Sequence, residues 1–181
     1  MWEWMQKFWP VTPPKPTPIL IAPLPKVQPV AEERLVSDIG LNLIKQSESL
    51  MLKAYLDPVG IPTIGYGTIR INGKSVTLGM VCTKEQAEEW LLFECNGIAK
   101  AVRHLVTVPL TQNQVDALVD FCYNLGTDAL RTSTLLRCIN AGQPIVEDLF
   151  TRWNKAHKDG KVIVLPGLTK RRKAEYALFI S

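Results

Sequence analysis

Eight of the thirteen prolines fall within residues 10 to 29, PVTPPKPTPILIAPLPKVQP. Each proline fixes its own φ and removes a backbone donor, so this stretch is forbidden to a helix and favours an extended, polyproline II conformation. The chain is thereby divided: residues 1 to 34 form an aromatic tip and a proline-rich extended segment, and residues 35 to 181 are left to build one folding domain. The tip, MWEWMQKFW, gathers Trp2, Trp4, Phe8 and Trp9 into nine residues. It lacks the basic start, unbroken apolar stretch and small-residue cleavage site of an ordinary signal peptide. The longest apolar run ahead of the domain, ILIAPL, is far short of the roughly 18 residues that suggest a bilayer span. Two readings stand for the tip. It is an anchor seated at a membrane headgroup zone, where tryptophan and phenylalanine are favoured, or a short tail that packs on its own domain or stays in solvent.

From residue 35 the pattern becomes periodic. Ser37 or Asp38 can cap a helix on which Ile39, Leu43 and Ile44 recur at three- to four-residue steps, and which ends near Glu48. Strands follow: KAYLD, a turn through Pro58, Val59 and Gly60, then PTIGYGTIRI, an Asn72-Gly73 hairpin turn, and SVTL. Thr83 to Gln86 is a capping box opening a long helix with Ala87, Trp90, Leu91, Cys95, Ile98 and Val102 in one stripe. A second box, Thr111 to Gln114, opens another helix that Gly126 closes. Further helices are expected around 127 to 140, 144 to 157 and 169 to 179. The sum is α+β: a small antiparallel hairpin sheet beside a mainly helical lobe. With 181 residues, 46% of them hydrophobic, the chain has enough material for its own core.

Charge is unevenly spread. The net charge is +4, yet residues 131 to 181 carry ten Lys or Arg against four Asp or Glu, whereas residues 83 to 130 carry three against seven. A basic end of this kind suits nucleic acid, acidic lipid or cell-wall carboxylates, and charge alone does not choose among them. Cys82, Cys95, Cys122 and Cys138 lie far apart, with no C-x-x-C pair and no histidine at zinc spacing, so no metal site is expected. They read as buried thiols, the alternative being a disulfide formed after export. His104 and His157 have no candidate partner triad.

The residues that could carry chemistry are Glu48, Asp57 and Thr63, within SESLMLKAYLDPVGIPTIGYGT. Glycosidic bonds are cleaved by an acid that protonates the departing oxygen and a carboxylate that attacks or steadies a water. An acid at a helix end leaning into a cleft, beside carbonyls rather than amide protons, is suited to keep its proton; a carboxylate at the wetter mouth of a hairpin stays charged. Thr63 adds a neutral hydroxyl that accepts and donates at once, and the turn at Gly60 would bring residues 57 and 63 to neighbouring places. Against this stands the bland reading, in which both acids are solvated and the threonine is present for its strand propensity.

The same residues are similar to a known family. A glutamate, then L-x-L-x-x-Y-x-D, a glycine and T-I-G-Y-G stand here as Glu48, Leu50, Leu52, Tyr55, Asp57, Gly60 and Thr63 to Gly67. The segments LTQNQVDALVDFCYNLG, STLLRCINAG and RWNKA followed by LPGLTKRRKAE agree in order. From about residue 37 to its end the chain resembles the phage-type lysozymes, glycoside hydrolase family 24. The resemblance implies a lysozyme-like fold with a cleft between sheet and helical lobe. It also implies a muramidase, an endolysin that hydrolyses the β-1,4 bond between N-acetylmuramic acid and N-acetylglucosamine. By position, Glu48 is the proton donor, Asp57 the second catalytic carboxylate and Thr63 the residue that seats the water, in a reaction generally read as inverting. Tyr123 and Asn124 fall where the family lines its cleft, Ile69 where a residue touches sugar, and Arg171 or Arg172 where a late arginine faces the glutamate.

Other readings compete at those positions. Tyr123 and Trp153 could be helix core, and KRRK could be a solvated charge run. The implied partner is peptidoglycan rather than nucleic acid, with no cofactor and a monomeric protein. The implied route runs from the host cytoplasm to the wall through a holin-type pore. The alternatives are a wall-binding or virion-associated module without turnover, and a lytic transglycosylase. This chain also departs from the family pattern. F-E-G is replaced by Ser47-Glu48-Ser49, and the histidine that commonly follows G-Y-G by Thr68.

Overall fold

The structure, a computed structural model, describes residues 19 to 20, 35 to 158 and 160 to 181. The aromatic tip and the rest of the proline-rich segment lie outside the described residues. From that segment Ile19–Leu20 (β1) pairs in parallel with Met80–Val81 (β6), so two residues ahead of the domain join its sheet.

The domain begins with α1 (Asp38–Ser47), and Ser37 starts it: its hydroxyl accepts from the Ile39 and Gly40 amides at 3.1 and 3.4 Å. The face turned inward carries Gly40, Leu41 and Ile44, while Ile39 points to solvent. The expected stripe is therefore rotated, because Gly40 is the point of closest approach to the next layer. A Cβ there would lie 2.7 Å from Asp116 Cγ.

After α1 the chain runs through β2 (Met51–Leu56), β3 (Pro62–Gly65), β4 (Arg70–Ile71) and β5 (Lys74–Ser75) to β6. The larger sheet has the order β1-β6-β2-β3, with β2 antiparallel to both neighbours. Asn72 and Gly73 form the two-residue loop between β4 and β5, both at positive φ (51° and 77°), as the Asn-Gly pair requires.

Two long helices follow. Both capping boxes are formed, Thr83 with Gln86 opening α2 (Lys84–Leu105) and Thr111 with Gln114 opening α3 (Gln112–Leu125). Helix α3 is buried from Val115 to Cys122 and packs against α1, α2 and the last helix, α7 (Pro166–Phe179). That makes α3 the axis of the helical lobe.

The remaining elements depart from expectation in two places. The helix expected around 127 to 140 is α4 (Thr127–Thr132) and α5 (Thr134–Asn140), broken at Ser133, whose hydroxyl donates to Leu130 O and accepts from Leu136 N. The helix expected over 144 to 157 is reduced to one turn, α6 (Asp148–Thr151), followed by a hairpin of β7 (Lys155–Lys158) and β8 (Lys161–Val164). The β-branched run Val162, Ile163, Val164 and a glycine at φ 73° in the connection favour strands there. Phe121 packs edge-on to Phe150 and Trp153, with centroids at 6.1 and 5.5 Å, which closes the core beneath α7. Sheet to one side and helices around a central helix bear out the α+β reading.

Candidate active site

Glu48 is the residue at which α1 stops: its amide still bonds Ile44 O, and its backbone has turned extended (φ −105°, ψ 139°). Its side chain is 27% exposed and meets Arg171 of α7, whose Nη1 donates to Oε1 at 2.6 Å. Arg171 does not serve Glu48 alone. Its Nε and Nη2 donate to the two oxygens of Asp120 on α3, at 3.0 and 2.8 Å, and Asp120 is fully buried. The paired, fork-shaped contact fixes the guanidinium plane. Burial works against the Arg171 charge, but its bonds to Asp120 and Glu48 outweigh burial and raise its pKa above the usual arginine range.

Asp57 and Thr63 occupy the hairpin that follows. Asp57 Oδ1 accepts from the amides of Val59 and Ile61 at 3.0 and 2.8 Å, while the Asp57 amide donates to Ile61 O. No protein donor among the described residues meets Oδ2. Thr63, opposite Tyr55 across the ladder, donates its hydroxyl to the same Ile61 O at 3.0 Å, and only 4% of it is exposed. The two side chains are thus tied through one residue. Between Met51 and Tyr55 strand β2 advances four residues while β3 advances two, from Gly65 to Thr63. This irregularity bends β2 between the Glu48 end and the Asp57 end.

Tyr123, on the last turns of α3, joins the two sides: its hydroxyl donates to Tyr66 O at 2.8 Å, just beyond β3. It is half-buried, so it is neither plain core nor an open wall. Burial raises its pKa above the usual phenol range, and the carboxylates Glu94 and Glu48 add to this. Partial burial, then the Glu48 charge, raise the Glu94 carboxyl on α2 as well.

The other expected contacts separate. Ile69 is 45% exposed beside the hairpin, and Asn124 is half-buried with Oδ1 enclosed and without a partner among the described residues. Arg171 is itself buried, so its contact is Glu48 rather than sugar. Arg172, expected as an alternative substrate contact, is fully buried: it pairs with Glu175 at 2.5 Å and lies over the Phe121 ring, 5.1 Å from its centroid. The solvated reading of KRRK fails for this pair too, since adjacent residues on α7 both turn inward. Trp153 belongs to the core beside Phe121. Asp120, Glu175 and Glu94 were not picked out from the sequence. Two of them carried a signal, Asp120 as an acid inside the apolar run VDALVDFCYNL and Glu175 one helical turn after Arg171.

An acid at a helix end and a second carboxylate on an adjoining hairpin are the kind of pair that glycoside hydrolases working with two carboxyl groups use. Residues 45 to 175 match the Phage lysozyme family model. The chain is 43% identical over 147 residues to an endolysin of Acyrthosiphon pisum secondary endosymbiont phage 1, covering 81% of this chain and 98% of that one. A solved endolysin from Escherichia coli O157:H7 phage FAHEc1 superposes with a TM-score of 0.75 at 44% identity, over 81% of this chain and 93% of that one. The muramidase domain of SpmX from Asticaccaulis excentricus gives 0.70 at 38%, over 81% and 97%. The chain belongs to the phage lysozyme family, and the expectations of its fold and enzyme class are borne out.

Proposed function

We propose that the protein is an endolysin that hydrolyses the β-1,4 bond between N-acetylmuramic acid and N-acetylglucosamine in bacterial peptidoglycan, with Glu48 as proton donor, Asp57 as second carboxylate and Thr63 as water holder. The observation that carries this assignment is the difference in how the two acids are held. Glu48 keeps one oxygen on Arg171, whose charge is already matched by Asp120. Its other oxygen is left to carry a proton towards a leaving group. Asp57 has Oδ1 fixed by two amides, and its Oδ2 is left for a water.

Thr63 supports inversion. Because its hydroxyl donates to Ile61 O, its oxygen is available only as an acceptor. A water whose two protons go to Thr63 and Asp57 presents its lone pair away from both, towards the sugar carbon on the face opposite the leaving oxygen. A lytic transglycosylase needs one acid and no such water, and a binding module needs neither, so the fixed Asp57 argues against both alternatives.

The enzyme acts on the host cell wall. We infer that it acts as a monomer, that it waits in the host cytoplasm for a holin-type pore, and that its basic C-terminal part holds it on an anionic mesh. The aromatic tip is proposed to meet a lipid surface. The assignment is tested by Glu48→Gln. The variant is expected to fold, to bind walls and to turn over purified peptidoglycan at less than about 1% of the parent rate; turnover near the parent rate would overturn it.

A further inference from the structure

Behind Glu48 lies a group of charges that does not balance as it stands. Arg171 and Arg172 supply two cations; Glu48, Asp120 and Glu175 supply three carboxylates. Asp120, Glu175 and Arg172 are fully sequestered from solvent. A net charge held in such a place is costly unless it is neutralised, so the group calls for one proton. Asp120 is a poor place for it, since both its oxygens accept from Arg171. Glu175 is a good one: Oε1 accepts from Arg172, while Oε2 is enclosed and meets no donor among the described residues. Facing Glu175 are Asp120 and Cys122 from α3 and Arg171 and Arg172 from its own helix, with Arg171 linking it to Glu48, which itself also faces Glu94 of α2 and Tyr123 of α3. Burial raises the Glu175 carboxyl well above the usual range, and a hydrogen bond with Asp120 adds to this, which brings it into competition for a proton.

We propose that Glu48 and Glu175 hold one proton between them, and that Glu175 is a positioning residue: the state that reacts is the one in which Glu175 is ionised against Arg172 and the shared proton sits on Glu48. With Glu175 charged, the four groups behind Glu48 sum to zero and Glu48 can be an acid. With Glu175 neutral, those groups sum to +1 and draw Glu48 towards the carboxylate. This rests on the reading of Glu48 as proton donor.

Glu175→Gln is nearly isosteric and cannot ionise, so it leaves the +1 in place. The alkaline limb of kcat against pH is expected to move to lower pH by about half a unit, with KM unchanged: a unit charge about 10 Å away at an effective dielectric of about 20 is worth about one unit, and two residues sharing one proton divide that shift between them. A purely structural role for Glu175 would lower the melting temperature and leave the limb where it was, and that result overturns the proposal. A second arm needs neither activity nor that variant. Coupling is reciprocal, so carbon-13 NMR of the Glu175 carboxyl should show its midpoint lower in Glu48→Gln than in the parent by the remaining half unit or so of that coupling. An unmoved midpoint overturns the coupling, whereas turnover retained by Glu48→Gln overturns the acid assignment beneath it.

Discussion

Gly40 shows how tightly single residues are fixed around this site. Asp116, which a Cβ at Gly40 would meet at 2.7 Å, accepts from Ser37 N, Ser37 Oγ and Gln112 Nε2 and has no room to withdraw. Gly40→Ala should cost about 1 to 3 kcal/mol of stability, as overpacking does, read as a lower melting temperature with kcat per folded molecule unchanged. In the proposed reaction it is the hydroxyl of Thr63 that matters rather than its shape. Thr63→Val keeps the β-branched outline and removes the acceptor for the water, so kcat should fall by about tenfold or more with little change in KM. At this scale the sequence was legible in where it set Glu48, Asp57 and Thr63, at the end of α1 and on the hairpin that follows; their catalytic roles belong to the proposal. It was opaque where a role depends on which way a helix turns, which is why Arg171 and Arg172 could not be told apart and Glu175 was passed over.

Among elements, the ones with local signals were readable. Both threonine capping boxes and the Asn72-Gly73 turn form as expected, because each is closed by residues within a few positions. Ser37 goes further. It caps α1 and is itself held by Asp116 of α3, so Ser37→Ala should lose about 1 kcal/mol, measurable in urea unfolding. The segment after Pro144 was misread for a physical reason. The apolar spacing from Ile145 to Trp153 fits a helix, and the short strands that follow declare themselves only by a glycine turn and a run of β-branched residues. A hairpin of this length is marginal alone, and it stands here beside α7 by chain connection.

For the whole molecule, the thiols bear on stability at high pH. All four cysteines are free, and Cys82, Cys95 and Cys122 are buried. Burial raises Cys95 above the usual range and pushes Cys122 up to about 12 from 9.0. Unfolded, these thiols ionise near pH 9 while the folded chain keeps their protons, so stability falls as pH rises through that region. The melting temperature should drop between about pH 9 and pH 11. Replacing Cys122 by alanine should flatten that slope, even with the loss of packing. The front of the chain is separable from catalysis in this account. Deleting residues 1 to 18 spares β1 and should leave cleavage of purified peptidoglycan intact while weakening liposome binding; unchanged liposome binding would dispose of the lipid role.

The central claim is that the end of α1 and the next hairpin set an acid and a water-activating carboxylate on either side of one sugar linkage. Mass analysis of fragments released from purified peptidoglycan tests it most directly. Fragments ending in reducing N-acetylmuramic acid are predicted. Fragments ending in 1,6-anhydro sugars, or none released by folded protein, would contradict it.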